Sequence, residues 1–382
     1  MAEHIIIVVG GGIVGSSAAY RLARRGVRVT LVDRTDSGHA TAAGAGIVAP
    51  ATSLHAPAAW YPLAFRAVAY YPELVACLEG DGVSATGYAV VGALFVATDG
   101  VERQQLPETY RLIEEHRRAG VGNIEELSML DRADSRSLFP PLAPDVTGIH
   151  LPGAGRVNGR TLRDAMQQAA QHHGAAVRRA PAELVTTARG AAGVRVDGEL
   201  VSADAVILAT GAWEDGWASQ LGIAIPLAPQ RGQILHLDLA GTDTSRWPVV
   251  VGFTDPYMLA FPEHRVVAGA TREDGTGFDY RVTAAGQAEL LSKALVRAPG
   301  IGPATVVETR VGFRPFVPDR LPVLGQVPGC HNVWLATGLG ASGLTLGPYA
   351  GAAIADMACG EETPHDMAPY DPARVIARTS AM

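Results

Sequence analysis

Ile5-Ile6-Ile7-Val8-Val9-Gly10-Gly11-Gly12-Ile13-Val14-Gly15, followed by a helical stretch to Arg24, a second apolar run at residues 27–32 and then Asp33, decides how this chain folds. Five consecutive apolar residues suit a strand buried on both faces of a parallel sheet. The G-x-G-x-x-G spacing opens a helix, and an acid closing the next strand stands where a ribose hydroxyl would meet it, so the segment reads as a dinucleotide-binding β-α-β unit. Gly10 permits the tight turn, Gly12 lets the backbone approach a pyrophosphate, and Gly15 lets the helix pack closely on the strand, with the helix N-terminus facing the phosphates. A Gly-rich turn in a ligand-free parallel sheet would account for the strand but not for Asp33 or the glycine spacing.

Working outward, 382 residues are enough for two domains with substantial cores, and 48% hydrophobic with 18% charged residues describes a globular, soluble chain. The 44 glycines show no collagen period and cluster at turns. A net charge of −7 supplies no positive field for a phosphate backbone or an anionic membrane, so neither nucleic acid nor membrane is expected as a partner. Cys77, Cys330 and Cys359 form no C-x-x-C pair and no cluster with histidines, which points away from disulfides and zinc and toward a cytoplasmic setting. No signal peptide or transmembrane run is visible.

Residues 37–46, SGHATAAGAG, are almost all small, as a backbone lying against a flat group would need. Residues 55–78 look helical despite Pro57, Pro62 and Pro72, residues 90–97 look like a strand, and residues 102–138 suggest one or two amphipathic helices. A helix is expected over 158–173, strands at 176–178, 194–196 and 205–209, and an antiparallel sheet from 233–237, 257–261 and 266–269. A helix at 284–296, a strand at 333–337, the turn Gly338-Leu339-Gly340-Ala341-Ser342-Gly343 and a helix from about Pro348 to Cys359 complete the chain.

Together with the N-terminal finger, the segments Thr41-Ala42-Ala43-Gly44-Ala45-Gly46, Gly153-Ala154-Gly155-Arg156-Val157-Asn158, Ala209-Thr210-Gly211-Ala212-Trp213, Pro229-Gln230-Arg231-Gly232-Gln233, Gly312-Phe313-Arg314-Pro315 and the stretch 338–348 resemble the flavoprotein family of D-amino acid oxidase, glycine oxidase and sarcosine oxidase, closest to glycine oxidase. The resemblance spans nearly the whole chain. It implies an α/β chain, α+β overall, with a Rossmann-type FAD-binding domain (1–80, 150–225 and 310–372) and a discontinuous substrate domain on a mainly antiparallel sheet (81–149 and 226–309). It also implies noncovalent FAD. Gly10, Gly12, Ile13, Val14 and Gly15 would hold the pyrophosphate, Asp33 and Arg34 the ribose side, and Ala182 the adenine by its backbone. Thr41, Ala42, Gly44, Ala45 and Gly46 would lie along the flavin, and Thr210, Gly211 and Trp213 would also bind the cofactor. Gly338, Gly340, Ala341, Ser342, Gly343, Leu344 and Thr345 would bring a helix N-terminus to the flavin carbonyl edge, where negative charge develops on reduction.

For the substrate, the resemblance implies that Arg314 pairs with a carboxylate, since a planar fork suits bidentate contact. A structural pair with Asp319 is the alternative for Arg314; Arg310 and Arg231 read as structural. Tyr257 is expected near the carboxylate and Ile47 on the apolar side, while His39 reads as a polar loop residue. The implied reaction oxidises the C–N bond of glycine, an N-substituted glycine or a D-amino acid to an imine that hydrolyses, O2 taking the electrons as H2O2. Two departures stand out. No cysteine lies near Val311 to Pro315, where sarcosine oxidases attach their flavin, and the chain's one lysine, Lys293, falls in an outer helix, so no lysine is at hand for oxygen reduction. A dehydrogenase serving a quinone or carrier, a noncatalytic flavin-bearing subunit and an oligomer all remain open at this point.

Overall fold

The computed structural model describes residues 4–118, 126–187, 190–214 and 216–378. The first apolar run forms the strand Ile5–Val9, with Ile6, Ile7 and Val8 fully buried. It pairs in parallel with Arg28–Val32 on one side and Ala205–Leu208 on the other, as residues apolar on both faces require. The sheet extends past Arg28–Val32 to Ala176–Arg178, and past Ala205–Leu208 to Val333–Thr337 and an antiparallel edge strand, Val323–Gln326. Chain segments far apart in sequence thus end side by side at the carboxyl edge of one sheet, the usual place for a ligand in such folds.

On one face of that sheet the helix Ile13–Arg24 packs against the C-terminal helix Gly343–Ala358. A Cβ on Gly351 would come within 2.3 Å of the Val14 carbonyl oxygen, so the two backbones nearly touch. The C-terminal helix begins at Gly343, five residues before the start expected near Pro348. Proline removes the N–H that would bond the carbonyl of Leu344, four residues earlier. The fully buried Tyr71 hydroxyl donates to that carbonyl instead, which lets the helix run through Pro348.

The helix expected over 55–78 is Trp60–Gly80; Pro62 falls in its first turn, where no N–H is needed, and only Pro72 interrupts its ladder. The charged insertion gives Gly100–Arg118 and Arg132–Leu138, while residues 119–125 lie outside the described residues. The strand expected at 90–97 divides at Val91-Gly92. Tyr88–Val90 pairs with Gly155–Val157, as does Ile47–Val48, and Ala93–Ala97 joins the larger sheet.

That larger sheet runs in the order Thr305–Phe316, Ala228–Asp238, Arg265–Gly269, Tyr257–Phe261, Val249–Gly252, Ala93–Ala97, Thr147–Leu151, Ser128–Leu130. Every pairing is antiparallel except that of Val249–Gly252 with Ala93–Ala97. Its registers matter for the site: Gln230 stands opposite Arg314, Gly232 opposite Gly312, and Tyr257 opposite Gly269. Among the described residues, no helix is long and apolar enough to cross a membrane.

Candidate active site

One cavity runs from the carboxyl edge of the parallel sheet to the face of the larger sheet. At its first end lie Gly10, Gly12, Ile13 and Val14, with Asp33 and Arg34 from the end of the next strand. Gly10 has φ of +103°, and a Cβ there would strike the Ala209 carbonyl oxygen at 2.3 Å, so the turn admits no other residue. The helix starting at Ile13 has Gly12 as its N-cap, no side-chain cap and no acid in its first turn. Its N-terminal partial charge is therefore left for an anion. Gly15 does not line the cavity: a Cβ on it would sit 1.8 Å from the Gly10 carbonyl oxygen, which makes it the contact between helix and turn. Ala180, Ala182, Thr210, Gly211 and Trp213 close this end. The Trp213 ring stacks on Phe278 at 5.1 Å and meets His39 edge-on at 5.6 Å.

The small-residue loop crosses the middle of the cavity, with Thr41, Gly44, Ala45 and Gly46 on its wall. Thr41 Oγ1 accepts the Ile13 N–H at 2.9 Å and ties the loop to the helix start. Ala42 does not reach the cavity; its carbonyl accepts from Arg160 at 3.2 Å and Arg310 at 3.4 Å. Smallness here also serves packing, because Gly46 has φ of +100° and a Cβ on it would stand 1.9 Å from the Val157 carbonyl oxygen. Opposite the loop, Gly340, Ala341, Ser342, Gly343, Leu344 and Thr345 bring in the C-terminal helix, also without a side-chain cap or an early acid. Gly338 lies behind them, packed on Val317 and Val323 and off the cavity wall. Two helix starts whose own N-cap residues supply no side-chain cap therefore face one cavity, the first with its Ile13 N–H taken by Thr41.

At the far end Arg314 and Tyr257 come together, and Ile47, the residue after the small-residue loop, also lines the cavity. Arg314 is partly buried, and its Nη1 donates to the Thr271 carbonyl at 3.1 Å and Gln230 Oε1 at 3.4 Å, both neutral acceptors. Among the described residues no carboxylate pairs with it, and Asp319 is taken by Arg374 at 2.8 Å. Burial pushes the Arg314 guanidinium down from its ordinary value, opposed by Tyr257. An arginine nevertheless keeps its charge. Burial raises the Tyr257 phenol, with the Arg314 charge working against it, so the hydroxyl stays a neutral donor. By contrast Arg231 is buried between Glu273 (2.6 Å) and Asp279 (2.9 Å), and Arg310 pairs with Glu308, both structural as expected.

The same chamber holds residues that the sequence did not single out: Thr52, Ser53, Thr254, Asp255 and Arg272. Asp255 Oδ2 accepts from Arg272 Nε at 3.1 Å. Thr52 ends a short 3-10 helix, Pro50–Thr52, and the others sit on loops, none of them in a motif. A signal was present, however, in Gly232, inside its strand, and Gly269, at the end of its own, since glycine in a strand marks a close approach. A Cβ on Gly232 would stand 2.5 Å from Arg314 Nη2, and one on Gly269 would stand 3.0 Å from the Tyr257 hydroxyl.

The two helix starts, the acid after the second strand and the loop of small residues fit FAD, and the fold and site define a flavin-dependent oxidoreductase. The chain matches the family described as DAO, FAD dependent oxidoreductase, over residues 6–357 and belongs to it. It is 45% identical over 373 residues to the uncharacterized oxidoreductase YurR of Bacillus subtilis strain 168, covering 97% of this chain and 99% of that one. Among solved structures it is similar to iminodiacetate oxidase from Chelativorans sp. BNC1, with a TM-score of 0.92 and 43% identity over 96% of this chain and 98% of that one. Glycine oxidase from Geobacillus kaustophilus follows with a TM-score of 0.86 and 27% identity over 97% and 99%. The chain is an FAD-dependent oxidoreductase of the amine and amino-acid oxidase family.

Proposed function

We propose that this protein oxidises the C–N bond of an amine bearing an α-carboxylate, namely glycine, an N-substituted glycine or a D-amino acid. For glycine the balance is glycine plus O2 plus water giving glyoxylate, ammonia and H2O2. The observation that carries this reading is the Arg314 guanidinium, which lines the cavity with only neutral partners. A buried cation without a counter-ion is costly, and a substrate carboxylate would supply one through a charge-assisted, bidentate contact.

FAD would be held by Gly10, Gly12, Ile13 and Val14 at the pyrophosphate, Asp33 and Arg34 at the ribose, Ala182, Thr210, Gly211 and Trp213 toward the adenine side, and Thr41, Gly44, Ala45, Gly46 and Gly340 to Thr345 along the ring. When bound, the flavin supplies an acceptor for the hydride leaving the α-carbon. The chain's own residues mainly position. Arg314 fixes the carboxylate, and the neutral Tyr257 hydroxyl donates a further hydrogen bond to it. The positive charge of Arg314 favours loss of the ammonium proton to solvent on binding, leaving the neutral amine that hydride removal needs. Ile47 walls the apolar side. The same reading assigns residues 1–80, 150–225 and 310–372 to the FAD domain and 81–149 with 226–309 to the substrate domain.

The experiment is an anaerobic panel of glycine, sarcosine, longer N-alkylglycines and D-amino acids, watching for flavin bleaching. A protein that bleaches with none of them would be a noncatalytic flavin-bearing subunit. One observation favours a second reading of the electron acceptor: Lys293, the chain's single lysine, pairs with Glu289 on an exposed helix face away from the cavity. Transfer to a quinone or carrier, in place of O2, would show as bleaching without stoichiometric H2O2 under air.

A further inference from the structure

Arg272 lies just beyond the strand Arg265–Gly269, in a segment held from both sides. The Thr271 N–H donates to the Gln233 carbonyl at 3.2 Å, and Thr271 Oγ1 accepts the Gln233 N–H at 2.9 Å. Glu273 exchanges both backbone hydrogen bonds with Arg231 at 3.0 Å, and its carboxylate accepts from Arg231, Gln233 and Thr271 side chains. Side chains 271 and 273 therefore share one face, toward Gln233 and Arg231. Extended alternation sends Arg272 to the other face, into the cavity. The Thr271 carbonyl that accepts from Arg314 belongs to this same segment, so one rigid stretch of backbone sets the position of both guanidinium groups.

Asp255 holds Arg272 by its Nε edge alone. Among the described residues no hydrogen bond engages Nη1 or Nη2, and the side chain is 53% exposed. An ion pair so open adds little to stability, so its place on a ligand cavity calls for another reason. The cavity lining includes the polar residues Thr52, Ser53 and Thr254, the last next to Asp255 in the chain, which can serve a polar substituent.

We propose that Arg272 is a specificity-determining residue, a second anion anchor that selects amines carrying a carboxylate on the N-substituent as well as on the oxidised carbon. The proposal rests on Arg314 being the first anchor. It makes the preferred substrates N-carboxymethyl amino acids, secondary amines with a carboxylate on either side of nitrogen. Arg314 then takes the carboxylate next to the carbon that loses hydride, and the free Nη edge of Arg272 takes the other.

Binding to the holoenzyme tests this without turnover, by calorimetry and by perturbation of the flavin absorption spectrum. The probes are thiodiacetate, a dicarboxylate whose sulfur cannot form an imine, and methylthioacetate, which has one carboxylate. The native protein is expected to bind thiodiacetate at least tenfold tighter. In Arg272→Gln that preference should shrink at least tenfold, and Arg272→Lys should restore part of it. An equal affinity for both probes in the native protein, or a preference unchanged by Arg272→Gln, overturns the proposal. If Arg314→Ala leaves both affinities as they were, the first anchor itself is wrong and the failure lies in the underlying reading.

Discussion

The Arg314 guanidinium lies across Gly232, where a Cβ would stand 2.5 Å from Nη2, 2.7 Å from Cζ and 2.8 Å from Nη1. The strand Ala228–Asp238 thus omits a side chain at the one position that lets the arginine lie flat over it, toward Gln230 and the Thr271 carbonyl. Gly232→Ala should push the guanidinium off this bed. Misplacing a positioning group by about 1 Å costs roughly a hundredfold in rate. Steady-state kinetics on the best substrate are expected to show kcat/KM reduced by one to two orders of magnitude, with flavin still bound. Unchanged kinetics would mean that Arg314 does not need this geometry.

Arg314→Ala removes the only cation at this end that lacks a carboxylate partner among the described residues. Truncating one side of a buried, hydrogen-bonded charge pair costs about 2–5 kcal/mol. That loss should appear in kcat/KM for amines with a carboxylate. The same amines without the carboxylate should be poor substrates of the native protein and change little between the two proteins. A native protein indifferent to the carboxylate would remove Arg314 from substrate binding.

The cofactor should leave on denaturation. None of Cys77, Cys330 and Cys359 lines the cavity, so no thiol is placed to bond the flavin. Acid precipitation is expected to leave colourless protein and yellow supernatant; a yellow pellet would show a covalent link. Asp33→Ala should also weaken FAD retention by about 1.5–3 kcal/mol, the value of hydrogen bonds to a charged group, measurable by reconstitution of the apoprotein. An unaltered affinity would mean that the ribose is held elsewhere.

What the sequence made legible was local. The finger, its acid and the two helix starts are fixed by contiguous residues, and a backbone rule governs each. Where a prediction depended on which way a residue of a recognised segment points, it could go astray: Ala42 and Gly338 belong to the right segments yet face packing partners and not the cavity, whereas Gly15 packs helix against turn as its spacing implies, without also lining the cavity. Arg314 and Tyr257 were legible only through resemblance, because what brings them together is a register across four strands, Gln230 opposite Arg314 and Tyr257 opposite Gly269. Asp255 and Arg272 had no such aid. Their meeting depends on two loops 17 positions apart whose course no local propensity dictates. The early start of the C-terminal helix was hidden for a similar reason, since the hydroxyl that replaces the N–H missing at Pro348 comes from Tyr71, in another helix.

One buried group outside the site should shape the pH range of the fold. His236 is 4% exposed, and neither ring nitrogen has a hydrogen-bond partner. Burial, reinforced by the charges of Arg310, Arg265 and Arg160 and opposed by Glu308 at 4.0 Å, pulls the imidazole down to about 3. A histidine so depressed stays neutral in the native state while the unfolded chain takes up a proton near pH 6.5. Its contribution is therefore complete above pH 6.5 and lost as pH falls toward 3. At pH 5 the loss is about 2 kcal/mol, at 1.36 kcal/mol per unit over the interval below 6.5. His236→Leu fills a similar volume and removes the proton site. Thermal unfolding of the two holoproteins between pH 7 and pH 5 is expected to show a smaller fall in Tm for the variant. Parallel profiles would show that His236 is protonated in the fold, with Glu308 outweighing burial.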